Sequence, residues 1–255
     1  MPHNNPYEWL AFVLAAVFML LLLLIILKIL LLLPKTEKKP TKSQYKYSST
    51  QFSGDREYLT ECFDVLTSAN SLFAVLVSGN MNSRFGRNIA ELVVEILKDE
   101  YMHELYRSAS RDTFYNNAIE KVHKAIKDNV LEHNVMPAIV AFILEGDYMD
   151  VVETYGGLRG NSLYLCKDRR LNEITNRKRR GISSILVSRL KIMGDEVIMM
   201  ASKGTSSSLT EMEIIGFLSR SDHPRIKCER MERLIQKKQL KNQDNVSIIV
   251  MEKMT

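Results

Sequence analysis

The sequence has little of what several classes of protein are built from. Its 255 residues include only three cysteines, Cys62, Cys166 and Cys228, an odd number with no paired ligand spacing. That excludes a disulfide scaffold and a cysteine-based zinc module, and the thiols are expected to be reduced and inert. No Gly-rich phosphate loop and no Ser-His-Asp order is present. The five histidines, His3, His103, His123, His133 and His223, share no metal-ligand spacing with cysteine or acidic residues. No segment repeats at a fixed period, and only one long apolar run occurs, so solenoids and multi-span membrane proteins are excluded as well. What remains, with 45% hydrophobic and 25% charged residues, is a chain with material for one sizeable core and an appendage.

The appendage is the N-terminus. Residues 9–33 are apolar except for Lys28, and 25 helical residues would reach about 37 Å, more than a ~30 Å hydrocarbon core. A transmembrane helix is expected there. The segment before Trp9 has no Lys or Arg, and no small-x-small cleavage site follows the run, which argues against a removed signal peptide. Lys28 can snorkel to one interface, while Tyr7 and Trp9 mark the other. The short leader, residues 1–8, carries Glu8, whereas Lys35, Lys38, Lys39, Lys42 and Lys46 crowd the other flank. The positive-inside rule therefore sets the N-terminus outside and the main domain in the cytoplasm, at the cell membrane. Residues 34–53, with Pro34 and Pro40 among Lys, Ser, Thr and Tyr, read as a basic flexible linker.

The net charge of +5 divides unevenly. Residues 1–50 hold six lysines against two acids, and residues 51–255 hold 29 basic against 28 acidic residues. Most of the excess thus belongs to the membrane flank. Arg177-Lys178-Arg179-Arg180 is the densest basic run beyond it and could dock an acidic partner, but it lacks interleaved aromatics and reads as a solvated loop. No nucleic acid is expected as a partner.

Within residues 54–255, β-rich apolar runs at 72–77, 138–144, 150–155, 162–166, 184–190, 196–201 and 246–251 read as strands. Helical spacing puts Ile89, Leu92, Val93, Ile96 and Leu97 on one face, and Ala118, Val122, Ala125, Ile126 and Val130 on another. A helix over 208–218 is expected to open with a capping box of Ser208 and Glu211, and another helix spans 226–239. The short Glu145-Gly146-Asp147 link favours antiparallel pairing. The order gives an α+β fold, with helices over one sheet or over a two-sheet sandwich.

Several of these segments resemble, in order, the metal-dependent protein phosphatase 2C family of Ser/Thr phosphatases. Gly194-Asp195-Glu196-Val197-Ile198-Met199-Met200-Ala201-Ser202-Lys203-Gly204 is similar to that family's GD-x-hydrophobic-SDG strand and turn. Leu209-Thr210-Glu211-Met212-Glu213-Ile214 is similar to its LT-x-x-E-I helix, and Asp244-Asn245-Val246-Ser247-Ile248 to its DN strand. Leu72-Phe73-Ala74-Val75-Leu76-Val77-Ser78-Gly79 sits where the family writes FAV-x-DG. Residues 138–144 and 150–159 resemble its LVAAL and VGDSR segments, and Gly54-Asp55-Arg56 the start of G-x-R-x-x-NED. The resemblance covers about residues 47–253 and implies an α-β-β-α sandwich flanked by helices.

It also implies a site. Such phosphatases hold two divalent metals with carboxylates, and the bridging water attacks phosphate. By the resemblance, Arg56 matches the phosphate-binding arginine, Glu61 the NED carboxylate, Gly79 a carbonyl ligand, and Asp244 with Asn245 the final ligand motif. Three acids are replaced, by Ser78, Gly157 and Lys203, and the stretch between Arg159 and Lys203 is short for the family. The resemblance therefore implies a degenerate member, a pseudophosphatase with no metal cofactor, acting as a scaffold or regulator of a membrane-associated complex. Lys203 is expected to pair with Asp244, with Glu61 as a second partner; the alternative leaves Lys203 and Asp244 at a solvated turn. Two other functions stay open: an atypical Mn²⁺- or Mg²⁺-dependent phosphatase using Asp244, Glu61 and further acids such as Asp64 or Asp195, and a phosphopeptide reader using Arg56 with Lys203.

Overall fold

A computed structural model describes residues 17–23, 28, 44–68, 71–79, 82–106, 111–130, 137–155, 160–175, 184–192 and 194–254. The chain divides into two compact units, residues 1–41 and 42–255. In the first, residues 17–23 are helical and their side chains, Val17 to Leu23, are exposed. Among the described residues, no helix is long and apolar enough to cross a membrane. The leader and most of residues 9–33 and 34–43 lie outside the described residues, as do Gly157 and Arg177 to Arg180.

The second unit holds ten strands and five helices among the described residues. They are β1 (Tyr45–Phe52), β2 (Glu61–Thr67), β3 (Ser71–Ser78), α1 (Arg84–Tyr106), α2 (Arg111–Val130), β4 (Ala138–Glu145), β5 (Tyr148–Tyr155), β6 (Ser162–Lys167), β7 (Arg170–Glu173), β8 (Ser184–Lys191), β9 (Val197–Ala201), α3 (Lys203–Ser208), α4 (Glu211–Leu218), α5 (Pro224–Lys238) and β10 (Val246–Lys253). One sheet runs β1-β10-β9-β6-β7 and the other β2-β3-β4-β5-β8. Every pairing is antiparallel.

Alternation of side chains builds three apolar layers. Leu72, Ala74 and Leu76 of β3 face Leu163, Met200 and Ile249 of the other sheet, forming the layer between the sheets. Their neighbours Phe73, Val75 and Val77 pack beneath Ile89, Val93, Leu97 and Tyr101 of α1 and Ala118, Val122 and Ile126 of α2. On the opposite outer face, Met199, Ala201, Ile248 and Val250 meet Leu209, Ile214 and Leu218 of the α3–α4 region and Met231 and Ile235 of α5. This explains why β3 reads as an unbroken apolar run: both of its faces are covered. The fold is an α-β-β-α sandwich.

Several expectations need correcting. The basic flexible linker drawn to residue 53 ends earlier, because residues 45–52 are β1, paired residue for residue with β10 from Tyr45–Lys253 to Phe52–Val246. As an edge strand it buries little, so its sequence is mostly polar. Leu92 is 38% exposed, and Ala90 and Val94 take its place in the core. The capping box belongs to Thr210 and Glu213, with reciprocal bonds between Thr210 Oγ1 and the Glu213 N–H and between Glu213 and the Thr210 N–H. Ser208 instead closes α3, donating to the Gly204 carbonyl at 2.5 Å, with Gln243 Oε1 3.0 Å from the same hydroxyl.

Candidate functional site

The strand register assembles one end of the sandwich. Glu61, Ser78 and Ala138 lie level across one sheet, and Ser162, Ala201, Ile248 and Thr50 across the other. At this end the inward-facing parity passes from apolar to polar. Gln51, Ser247 and Ser202 continue the inward rows of their strands, and Glu61 and Ser78 those of theirs. The rim of the inter-sheet core is thus a polar cap.

Glu61 sits within it, 7% exposed. Ser247 donates its hydroxyl to Glu61 Oε2, and Gln51 Nε2 donates to Ser247 Oγ at 2.8 Å and to the Glu61 carbonyl at 3.2 Å. Burial pushes the Glu61 carboxyl up to about 8; hydrogen bonds from Ser247 and Ser202 oppose the shift, and the nearby Asp244 charge adds to it. Among the described residues no cation pairs with it, and the upward shift favours its protonated form.

Asn245 ties three segments together. Its amide donates to the Tyr58 carbonyl at 2.9 Å and to Thr60 Oγ1 at 3.2 Å, and its carbonyl accepts from Ser202 Oγ at 3.0 Å. Gly204 lies against that same carbonyl: a Cβ there would come within 1.9 Å of Asn245 O. Gly79 is confined likewise, since a Cβ would come within 1.9 Å of the Gly86 carbonyl in α1. Its N–H donates to the Thr60 carbonyl at 2.9 Å. Close backbone approach, which only glycine permits, fixes both loops.

Two cations converge on the mouth. Arg56 Nε donates to Asp244 Oδ1 at 3.0 Å, and Lys203 Nζ lies 3.4 Å from Asp244 Oδ2. The Asn245 N–H also donates to Oδ1, at 3.2 Å. Asp55 holds the approach, exchanging hydrogen bonds with Gln243 through its own N–H (2.8 Å) and its carboxylate (2.9 Å). The structure therefore brings Arg56, Lys203, Asp244 and Asn245 together, with Glu61, Ser78 and Gly79 beside them. Lys203 pairs with Asp244 and not with Glu61, whose hydrogen-bond partners are hydroxyls. Asp64 faces the helix layer and pairs with Lys98 at 3.2 Å. Asp195 pairs with Lys167 at 2.7 Å, at the far end of the strands. Neither joins the site.

Gln51, Ser202 and Ser247 were not found from the sequence. Their signal was there for Ser247, a polar residue on the core-facing parity of an otherwise apolar strand.

Two divalent cations need a cluster of hard carboxylate oxygens. Here both oxygens of Asp244 are engaged by cationic groups, position 78 is a hydroxyl and Glu61 is buried among hydroxyls. Among the described residues, no group of three or more His, Cys, Asp or Glu side chains could hold a metal. The donor set that the described residues bring to this site does not fit a two-metal centre.

This fold is that of the phosphatase 2C type. The serine/threonine phosphatase PstP/Ppp of Mycobacterium tuberculosis superposes with a TM-score of 0.65 at 15% identity, over 83% of this chain and 99% of that one. PppA, described as a key regulatory component of T6SS in Pseudomonas aeruginosa, gives 0.66 at 15% identity, with the same coverage of 83% and 99%. The catalytic domain of PstP in complex with two manganese ions gives 0.63 at 14% identity, again over 83% and 99%. No protein-family model matches the sequence, and no curated protein matches it in sequence. The likeness is one of fold.

Proposed function

We propose that this chain is a single-pass membrane protein whose cytoplasmic phosphatase 2C-like domain works by binding, as a scaffold or regulator of a membrane-associated complex, and does not carry out two-metal hydrolysis. The observation that carries the reading is the capture of Asp244. The one acid that keeps the family's final ligand motif is held between Arg56 and Lys203. A lysine within ~4 Å of a carboxylate adds repulsion toward a dication besides removing a ligand. Ser78 in place of a bridging acid points the same way. The anchoring part rests on the apolar run 9–33 and its lysine-rich flank, and the described residues 17–23 agree in being helical with exposed apolar side chains. A regulatory role has a parallel in PppA, a fold neighbour itself described as a regulatory component.

The test is a calorimetric titration of the full chain in detergent with Mn²⁺ and Mg²⁺, alongside a phosphatase assay on a phosphopeptide and a chromogenic ester. The expected result is no saturable binding and no turnover. Metal-dependent phosphate release, abolished by Asp244→Ala, would establish the atypical phosphatase instead. Phosphopeptide binding without turnover, lost in Lys203→Asp, would establish the reader.

A further inference from the structure

We infer that Lys203 is a built-in counter-ion, and that once an acid stands at position 78 the side chain at position 203 decides whether this site refuses or accepts a divalent cation. The inference rests on the reading above and adds to it a single specificity-determining residue.

The Asp244 charge is met without any ion. Asp244 faces one ammonium and one guanidinium, each on a different oxygen. Glu61, the other acid, is buried and bonded by Ser247. The backbone around position 203 has no freedom to carry the lysine elsewhere, since Gly204 is pressed on the Asn245 carbonyl and Ser202 donates to it. The side chain at position 203 therefore starts from a fixed point beside Asp244, and this lysine sets its ammonium 3.4 Å from Oδ2. Local preference does not explain the lysine: it opens α3 with no side-chain cap from Ser202, and the first turn of a helix favours acids. What offsets its placement is Asp244.

The rest of the site is still shaped as a cradle. Ser78 lies directly opposite Glu61 in the β2–β3 register. Gly79 is clamped between Thr60 and Gly86. Acids at both 78 and 203 would place four carboxyl groups, 61, 78, 203 and 244, around one mouth with only Arg56 to balance them. Four converging oxygen donors with an excess of negative charge are what a hard divalent cation relieves. An acid at 78 alone would still face the Lys203 ammonium across the mouth.

The experiment compares the full chain in detergent with two variants, Ser78→Asp and the double variant Ser78→Asp/Lys203→Asp, using Mn²⁺ alone as the probe. Binding is read by calorimetry and by loss of the free Mn²⁺ paramagnetic resonance signal, and stability by melting with Mn²⁺ or with chelator. The natural chain and Ser78→Asp are expected to melt identically in Mn²⁺ and in chelator. The double variant is expected to be less stable in chelator, to regain stability with Mn²⁺, and to bind the ion at least about 10-fold more tightly than Ser78→Asp. If Ser78→Asp binds as well as the double variant while the natural chain is silent, position 203 is not the determinant and the inference falls while the proposed function stands. A double variant that neither binds Mn²⁺ nor is folded by it also overturns the inference. Tight Mn²⁺ binding by the natural chain overturns the proposed function and this inference with it.

Discussion

The two ends of the inter-sheet layer are built on opposite principles. Where the chain enters β1, the layer stays apolar to its rim: Tyr45, Leu144, Met149, Ile192 and Met251 are all 5% exposed or less. The charges there are peripheral pairs such as Lys167–Asp195 and Lys253–Asp147. At the other end, about 20 Å away along β1, the same rows finish in Gln51, Glu61, Ser202 and Ser247, and Asn161 spans the sheets by donating to Leu76 O and Ala138 O at 3.0 and 2.9 Å. Burying polar groups costs free energy unless each is bonded, and neither Asn161 Oδ1 nor Asn245 Oδ1 has a partner among the described residues. An apolar rim would be the more stable design. The polar end therefore reflects what the fold is used for, or descends from, and the apolar end reflects stability alone.

The sharpest way to break this comparison is to remove the strand that joins the ends. A chain beginning at Gln44 keeps β1; one beginning at Gly54, the domain boundary suggested by the sequence, loses its eight paired residues and the bonds of Gln51. The first is expected to melt cooperatively by circular dichroism and the second not to, and a cooperative melt from the shorter chain would show that β1 is dispensable.

Next in size is Asn245→Ala at the polar end. It strips donors from the Tyr58 carbonyl and Thr60 and is expected to cost roughly 2–3 kcal/mol in denaturant unfolding. A loss below about 0.5 kcal/mol, as for an ordinary surface change, would contradict the tie assigned to this side chain.

Glu61→Gln should go the other way. The Glu61 pKa is raised in the folded state from 4.5 to about 8, so the folded state binds more protons, and this group's contribution to stability, full below about 4.5, is lost as pH climbs toward 8. The glutamine variant should match the natural chain near pH 5 and exceed it at pH 8.5 by roughly 1–3 kcal/mol. Equal stability at both pH values would mean that Glu61 ionises freely.

The smallest effects separate the ion pairs at the two ends. Lys167→Ala removes an exposed pair with Asp195 and is expected to change stability by less than about 0.5 kcal/mol. Lys203→Ala leaves Asp244 with Arg56 and should cost no more than about 1 kcal/mol, a loss that salt reduces.

Much of this was legible in the sequence, for physical reasons that differ by element. The strands at 72–77, 138–144 and 246–251 announce themselves because both faces or one whole face is buried. The glycines at 79 and 204 were legible as motif positions because a Cβ there would meet backbone, and Asp244-Asn245 because its side chains tie Arg56, Lys203, Tyr58 and Thr60 together. β1 was hidden, since an edge strand covered on one side needs few apolar residues, and Lys46, Ser48 and Thr50 look like linker. The capping box was displaced by two residues because Ser208 and Thr210 both stand three before a glutamate, and only the helix start chooses between them. Lys227 reads as a surface residue of α5, yet it is 2% exposed, with its ammonium 2.8 Å from the Leu218 carbonyl and paired with Glu252. No periodicity reveals a buried ion pair of that kind.

The claim on which the rest depends is that Asp244 belongs to Arg56 and Lys203 and not to metal. A crystal structure of the chain grown in Mn²⁺, with anomalous data collected at the manganese edge, tests it most directly. The predicted map has the Lys203 ammonium against Asp244 and no anomalous peak between Asp244 and Glu61. One or two manganese peaks there, with Lys203 turned away, would contradict it.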